Sequence, residues 1–200
     1  MDLLSAVWME RSLNQPISAL HVDSQGAVLA GGWDGALKHW NDAGDVLWSA
    51  ELPDRITSIS VHEHSVLVTA GLHIACVELG SGEVTWSHAL EGSADALLVM
   101  TNAVYAISSV YDIEHNDFIE SAVWKYSIDG EFEWIQRMDE RPWVILEHEK
   151  VPWIGLGRPK CGFSSVASDG TLTHHTTEAN SPITCGTASL QTLLFGHADG

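Results

Sequence analysis

The chain is poor in positive charge: Lys and Arg number 9 of 200 residues against 27 Asp and Glu, for a formal net charge of −18. Binding to phosphate backbones or anionic lipid heads rests on clustered Lys and Arg, so this balance sets nucleic acid and membrane surfaces aside as general partners. Cysteine is equally scarce. Cys76, Cys161 and Cys185 are widely spaced, odd in number and without a Cys-x-x-Cys pair. They fit reduced thiols in a cytoplasmic setting, each a small buried apolar residue in preference to a ligand or nucleophile. Apolar runs are short, of the size of residues 96–100, against the ~18 residues that cross a bilayer as a helix. The opening residues carry an acid at Asp2, no basic stretch and no apolar core of signal-peptide length, so export is not expected. There is no Gly-x-Ser-x-Gly elbow and no Gly-x-x-x-x-Gly-Lys loop, and no catalytic residue or cofactor is assigned. Helical periodicity is missing throughout.

What is present is a beat. A turn glycine stands four residues ahead of a tryptophan in Ala43-Gly44-Asp45-Val46-Leu47-Trp48, in Leu79-Gly80-Ser81-Gly82-Glu83-Val84-Thr85-Trp86 and in Asp129-Gly130-Glu131-Phe132-Glu133-Trp134. A fainter copy, Asp169-Gly170-Thr171-Leu172-Thr173-His174, has histidine at the tryptophan place. Gly44, Gly82, Gly130 and Gly170 are separated by 38, 48 and 40 residues. Self-similarity near ~40 residues, with four short runs of β-forming residues bounded by Gly, Asp and Asn in each unit, is the signature of a propeller blade.

The expected fold is therefore all-β, a propeller of four-stranded antiparallel blades in a single domain. Residues 16–54, 55–93, 94–141 and 142–180 each form a blade, and residues 181–200 form half a blade that stops where residues 29–35 are mirrored. The third unit is the long one, its extra length falling at residues 111–121 between its second and third strands. Residues 1–15 read as an outer strand that closes a ring, with Trp8 preceding Trp48 by 40 positions. Such a strand needs a partner blade, so the sequence predicts an incomplete ring of about four and a half blades. The remainder would be missing or supplied by another chain.

The spacing has a mechanical reason. The glycine permits the positive φ of a tight hairpin, and the indole that follows wedges between neighbouring blades, where its burial removes ~150 to 250 Å² of surface from water. Trp8, Trp48, Trp86 and Trp134 are accordingly expected to be structural, as inter-blade contacts.

The segment Cys76-Val77-Glu78-Leu79-Gly80-Ser81-Gly82-Glu83-Val84-Thr85-Trp86 resembles the tryptophan-docking repeat of quinoprotein-like β-propellers, Ala-x-Asp-x-x-Thr-Gly-x-x-x-Trp. Cys76, Glu78 and Ser81 stand where that pattern has Ala, Asp and Thr. The resemblance implies the propeller fold. Quinone-dependent members carry adjacent cysteines and a calcium-bound cofactor, and this chain has no Cys-Cys pair. WD-repeat propellers are the related architecture, but their Trp-Asp pair ends the third strand, whereas Trp33-Asp34 lies in the turn before it.

Loops carry function more often than strands do. The candidate partner-binding face gathers the connections between second and third strands and those between blades. It comprises Trp33, Asp34, Arg55, His73, the acidic insertion with Tyr111, Asp112, Glu114, His115 and Asp117, and the basic turns with Arg141, Arg158 and Lys160. Four carboxylates and a histidine in the insertion are ligand types that suit a hard divalent cation, but their spacing is not that of an EF-hand, and an extended hairpin with solvated charges is the preferred reading. His62-Glu63-His64 puts two imidazoles on one side of an extended chain with no third ligand in view, so no metal ligand is assigned. The expected function is a non-catalytic scaffold for a protein or peptide partner; the alternative is a quinoprotein-like enzyme or a cofactor- or metal-binding propeller.

Overall fold

A computed structural model describes residues 9–176 and 178–200. Every regular element in it is a strand. Blade one holds β1 (Ile17–Val22), β2 (Val28–Gly32), β3 (Ala36–Trp40) and β4 (Val46–Glu51). Blade two holds β5 (Ile56–His62), β6 (Ser65–Ala70), β7 (His73–Glu78) and β8 (Val84–Ala89). Blade three holds β9 (Ser93–Met100), β10 (Ala103–Asp112), β11 (Asp117–Ser127) and β12 (Phe132–Met138). Blade four holds β13 (Pro142–His148), β14 (Val151–Leu156), β15 (Phe163–Val166) and β16 (Leu172–His175), and β17 (Ile183–Ala188) with β18 (Leu193–His197) makes the half-blade. Each sheet is antiparallel in chain order, and the first strand of each blade lies beside the first strand of the next. No ring closes among the described residues.

The core lies between blades, as stacking of sheets requires. Leu29, Leu37 and Trp48 of blade one meet Ile56, Val66, Val68 and Val77 of blade two. Leu67, Ile74 and Cys76 meet Val104, Ala106 and Trp124 of blade three, and Tyr105, Ile107 and Val123 meet Ile145, Ile154 and Val166 of blade four.

Outer strands β4, β8 and β12 each carry a bulge that leaves one residue unpaired, Leu47, Thr85 and Glu133, directly before the tryptophan. The extra residue re-aims the indole out of its own sheet. Trp48 Nε1 donates to Leu79 O at 2.7 Å, Trp86 Nε1 to Ile128 O at 3.3 Å and Trp134 Nε1 to Ser168 O at 2.9 Å. Each ring lies on the turn glycine of the next blade: a Cβ at Gly82 would come within 2.7 Å of the Trp48 ring, and one at Gly130 within 2.6 Å of Trp86. Their φ values of 78° and 88° independently favour glycine.

Three expectations meet a different structure. Trp8 and the first half of the expected closing strand lie outside the described residues. Residues 9–16 carry no strand: Asn14 has φ 62° and Pro16 lacks an N–H for a ladder. The segment instead packs Leu13 against Ala30 and Trp40, and Arg11 donates to the carbonyls of Asn41 and Asp42. Residues 111–121 are not a stretched connection but a prolongation of β10 and β11 into a hairpin closed by a short turn. In blade four, β15 and β16 pair without a bulge, so His174 lies opposite Ser164 and His175 opposite Phe163. It is His175, not His174, that stacks on Phe163 at 5.2 Å and approaches Trp153.

Candidate functional site

Antiparallel order places the β2–β3, β6–β7, β10–β11 and β14–β15 turns, and the connections between blades, at one end of the sheets. All the residues of the expected partner-binding face fall there, in separate groups. Arg55 stacks over the Trp33 ring at 4.0 Å, with Trp33 51% exposed, while the Asp34 N–H is held by Gln15 Oε1 at 2.6 Å. His73 opens β7 half-buried, its Nδ1 without a hydrogen-bond partner.

At the tip of the blade-three hairpin, Asp112 accepts from the N–H groups of Glu114 and His115 and lies 3.0 Å from His115 Nδ1. His115 holds the Asp112 carboxyl below its ordinary range. Tyr111 hydroxyl donates to Asn116 Oδ1, and its ring meets Phe118 edge-on at 5.2 Å. Among the described residues no three His, Cys, Asp or Glu side chains converge as a metal site would require.

Arg141, in the connection from β12 to β13, is the organiser of the neighbouring group. Its guanidinium sits 3.6 Å from the Phe118 ring and 4.1 Å from the Trp143 ring, and Nη2 lies 3.3 Å from Asp95 Oδ2. This stack braces the long hairpin against blade four. Beside it opens a cleft of about 470 Å³, walled by Asp117, Phe118, Asp139, Trp143, Arg158 and Pro159, with Pro182 and Thr184 of the half-blade on its far side. Lys160, on the same loop as Arg158, is tied to the buried Glu140 at 2.9 Å, which raises the Lys160 ammonium above its ordinary range. The basic residues thus share one end of the molecule, but Arg141 and Lys160 are spoken for by carboxylates.

The register explains why Trp143 is there. Every first strand has a bulge near its start, which leaves Ser18, Thr57, Asp95, Trp143 and Thr184 unpaired in their sheets and free to reach sideways. Ser18 Oγ donates to Ile56 O at 2.6 Å and Thr57 Oγ1 to Ala94 O at 2.8 Å, each linking its blade to the next. Asp95 links instead to Arg141. Among the described residues Trp143 makes no such link, and it is left 45% exposed on the cleft. Phe118, Asp139, Trp143 and Pro159 were not among the expected site residues; only Trp143 had a signal, a tryptophan where the aligned units have Ser18, Thr57 and Asp95.

A second, smaller cavity of about 180 Å³ lies at the opposite end between blades one and two, lined by His21, Asp23, His39 and Asn41 with Leu29, Leu47 and Val61. Burial pushes the His39 imidazole below its ordinary range, and its Nδ1 has no partner.

No protein-family model and no curated protein matches the chain. Among solved structures it is similar to BBS1N from its complex with ARL6DN, with TM-score 0.74 and 14% identity over 96% of this chain and 66% of that one. It is also similar to the WD40 domain of Neurospora crassa Pan2, with TM-score 0.72 and 10% identity over 92% and 60% of the two chains. The computationally designed Ika8 protein gives TM-score 0.69 and 18% identity over 92% and 56%. The chain therefore spans between 56% and 66% of the length of these structures. Repeated four-stranded sheets, first strands gathered side by side and likeness to WD40 domains at low identity together make this chain a β-propeller repeat protein in fold, with about four and a half blades described.

Proposed function

We propose that the chain is a non-catalytic propeller scaffold that binds a protein or peptide partner through the end carrying Trp33, Arg55, the blade-three hairpin and Arg141. The observation that carries this reading is the pair of aromatic and arginine stacks, Trp33 with Arg55 and half-buried Phe118 and Arg141 with Trp143, each of which presents an exposed tryptophan. Trp, Tyr and Arg are the residues in which interface energy concentrates, and here they are held by packing before any partner arrives. The similar fold of BBS1N, whose structure was solved in complex with ARL6DN, supports the reading. Exposed Leu20 and Val22 on β1 and Leu194 on β18 support a further proposal, that blades of the same or another polypeptide cover these two sheet faces. A reducing, cytoplasmic setting accords with three free cysteines.

The test is affinity capture with the intact chain and with a triple variant, Trp33→Ala, Tyr111→Ala and Trp143→Ala, whose fold is checked by far-ultraviolet circular dichroism. Partners held by the first are expected to be lost from the second. If every captured partner remained on the folded variant, this end of the molecule would not be the binding face.

A further inference from the structure

Within the cleft beside Arg141, charge is distributed unevenly. Asp117 opens β11 and Asp139 lies between β12 and β13; both line the cleft and neither is in a direct ion pair among the described residues, although Asp139 lies within electrostatic reach of Lys160, itself paired with Glu140. Arg141 is paired with Asp95 and Lys160 with Glu140, which leaves Arg158 on the wall against the two carboxylates of Asp117 and Asp139. With the Arg141–Asp95 and Lys160–Glu140 pairs taken as neutral, the two aspartates outweigh Arg158, in a chain of net charge −18. Trp143 and Pro159 add apolar surface to the same lining, and the stack of Arg141 on Phe118 and Trp143 holds the wall in place.

From this arrangement, and resting on the reading that this end binds protein, we infer that the cleft receives a basic segment of the partner. One lysine or arginine side chain lays its aliphatic stem along Trp143 and Pro159 and brings its cation to Asp117 and Asp139. Long basic side chains bury their stems on apolar surface while keeping the charged head solvated and paired, which is what an apolar floor with acidic rims accommodates. The acidity of the whole chain steers such a segment inward, and the effect weakens with salt. Arg158, a cation on the same lining, disfavours it.

The experiment is selection of a random displayed peptide library on the intact chain, followed by fluorescence anisotropy of the enriched peptides against purified variants. Enriched peptides are expected to carry Lys or Arg beside an apolar residue. Asp117→Asn with Asp139→Asn should weaken them about tenfold at low salt and flatten their salt dependence, and Arg158→Ala should tighten them. Asn keeps the Oδ1 that accepts the Phe118 N–H, and unchanged melting of the double variant verifies that the fold persists. Acidic peptides lost on Arg158→Ala, basic peptides indifferent to the double variant, or no enrichment at all would each overturn the inference. If the triple variant still abolishes partner capture in those cases, the binding face stands and only its chemistry is wrong; capture untouched by the triple variant removes the face itself.

Discussion

The junctions that follow blades one, two and three differ from the one that follows blade four. In the first three, a bulge at Leu47, Thr85 or Glu133 turns the next residue, a tryptophan, onto the glycine turn of the neighbouring sheet. In the fourth, β16 runs without a bulge, the tryptophan place is held by His174, and the contact with the half-blade is a cluster of Trp153, Phe163, His175 and Phe195. The difference shows that the lock has two halves. An indole needs an extra residue before it to leave its own sheet, and it needs a receiving turn between the third and fourth strands of the next blade. Among the described residues, β17 and β18 offer no such turn. A one-residue change of register sends alternate side chains to opposite faces, so the loss of the bulge is enough to exchange His174 for His175.

Breaking the lock at its strongest point should have the largest effect. Trp48→Ala removes a ring that is only 7% exposed together with its hydrogen bond to the Leu79 carbonyl, and is expected to cost about 3–5 kcal/mol in urea unfolding monitored by circular dichroism. The receiving half comes next: Gly130→Ala places a methyl against Trp86 at φ 88°, for a loss of about 1–3 kcal/mol.

A smaller effect is expected beside the first lock, where His39 packs edge-on against Trp48 at 5.3 Å. Its folded pKa is depressed below 6.5 by burial. The unfolded chain then takes up the proton first, so stability is intact above pH 6.5 and falls as pH drops below it. Melting curves of the wild type should show this decline, and His39→Phe should flatten it. The smallest effect sharpens the comparison: His174→Trp supplies the missing indole without the bulge or the receiving turn, and its stability should stay within about 0.5 kcal/mol of the wild type.

The fold was legible because its governing signal is local and repeated. Gly82 and Trp86 sit in one hairpin, and strands of five or six residues between turn residues admit little else. The 48-residue interval marked blade three as unusual, but the extra residues could form a loose loop or prolong the strands. Ladder pairing of β10 with β11 decided it, as Val110 meets Glu120 and Asp112 meets Asp117. The candidate face was legible as a set of turns at one end. Its grouping was not, because Phe118, the stretch from Asp139 to Trp143, and Arg158 come from three separate parts of the chain that meet only when blades three and four stack. The neutralisation of Arg141 by Asp95 and of Lys160 by Glu140 was likewise invisible in composition, since a charge count does not say which charges are within reach of each other.

The amino-acid sequence by itself determined the repeat, the strands within it and the indole that ends each of the first three units, because turn propensity, alternation and φ preference act over a few neighbouring residues. Tertiary structure alone decided which bulges re-aim side chains, which arginine is clamped between Phe118 and Trp143, and where the carboxylates of Asp117 and Asp139 line a cleft. Those depend on register across strands and on the angle between sheets, quantities set by the packing of residues 20 to 60 positions apart and by no local preference.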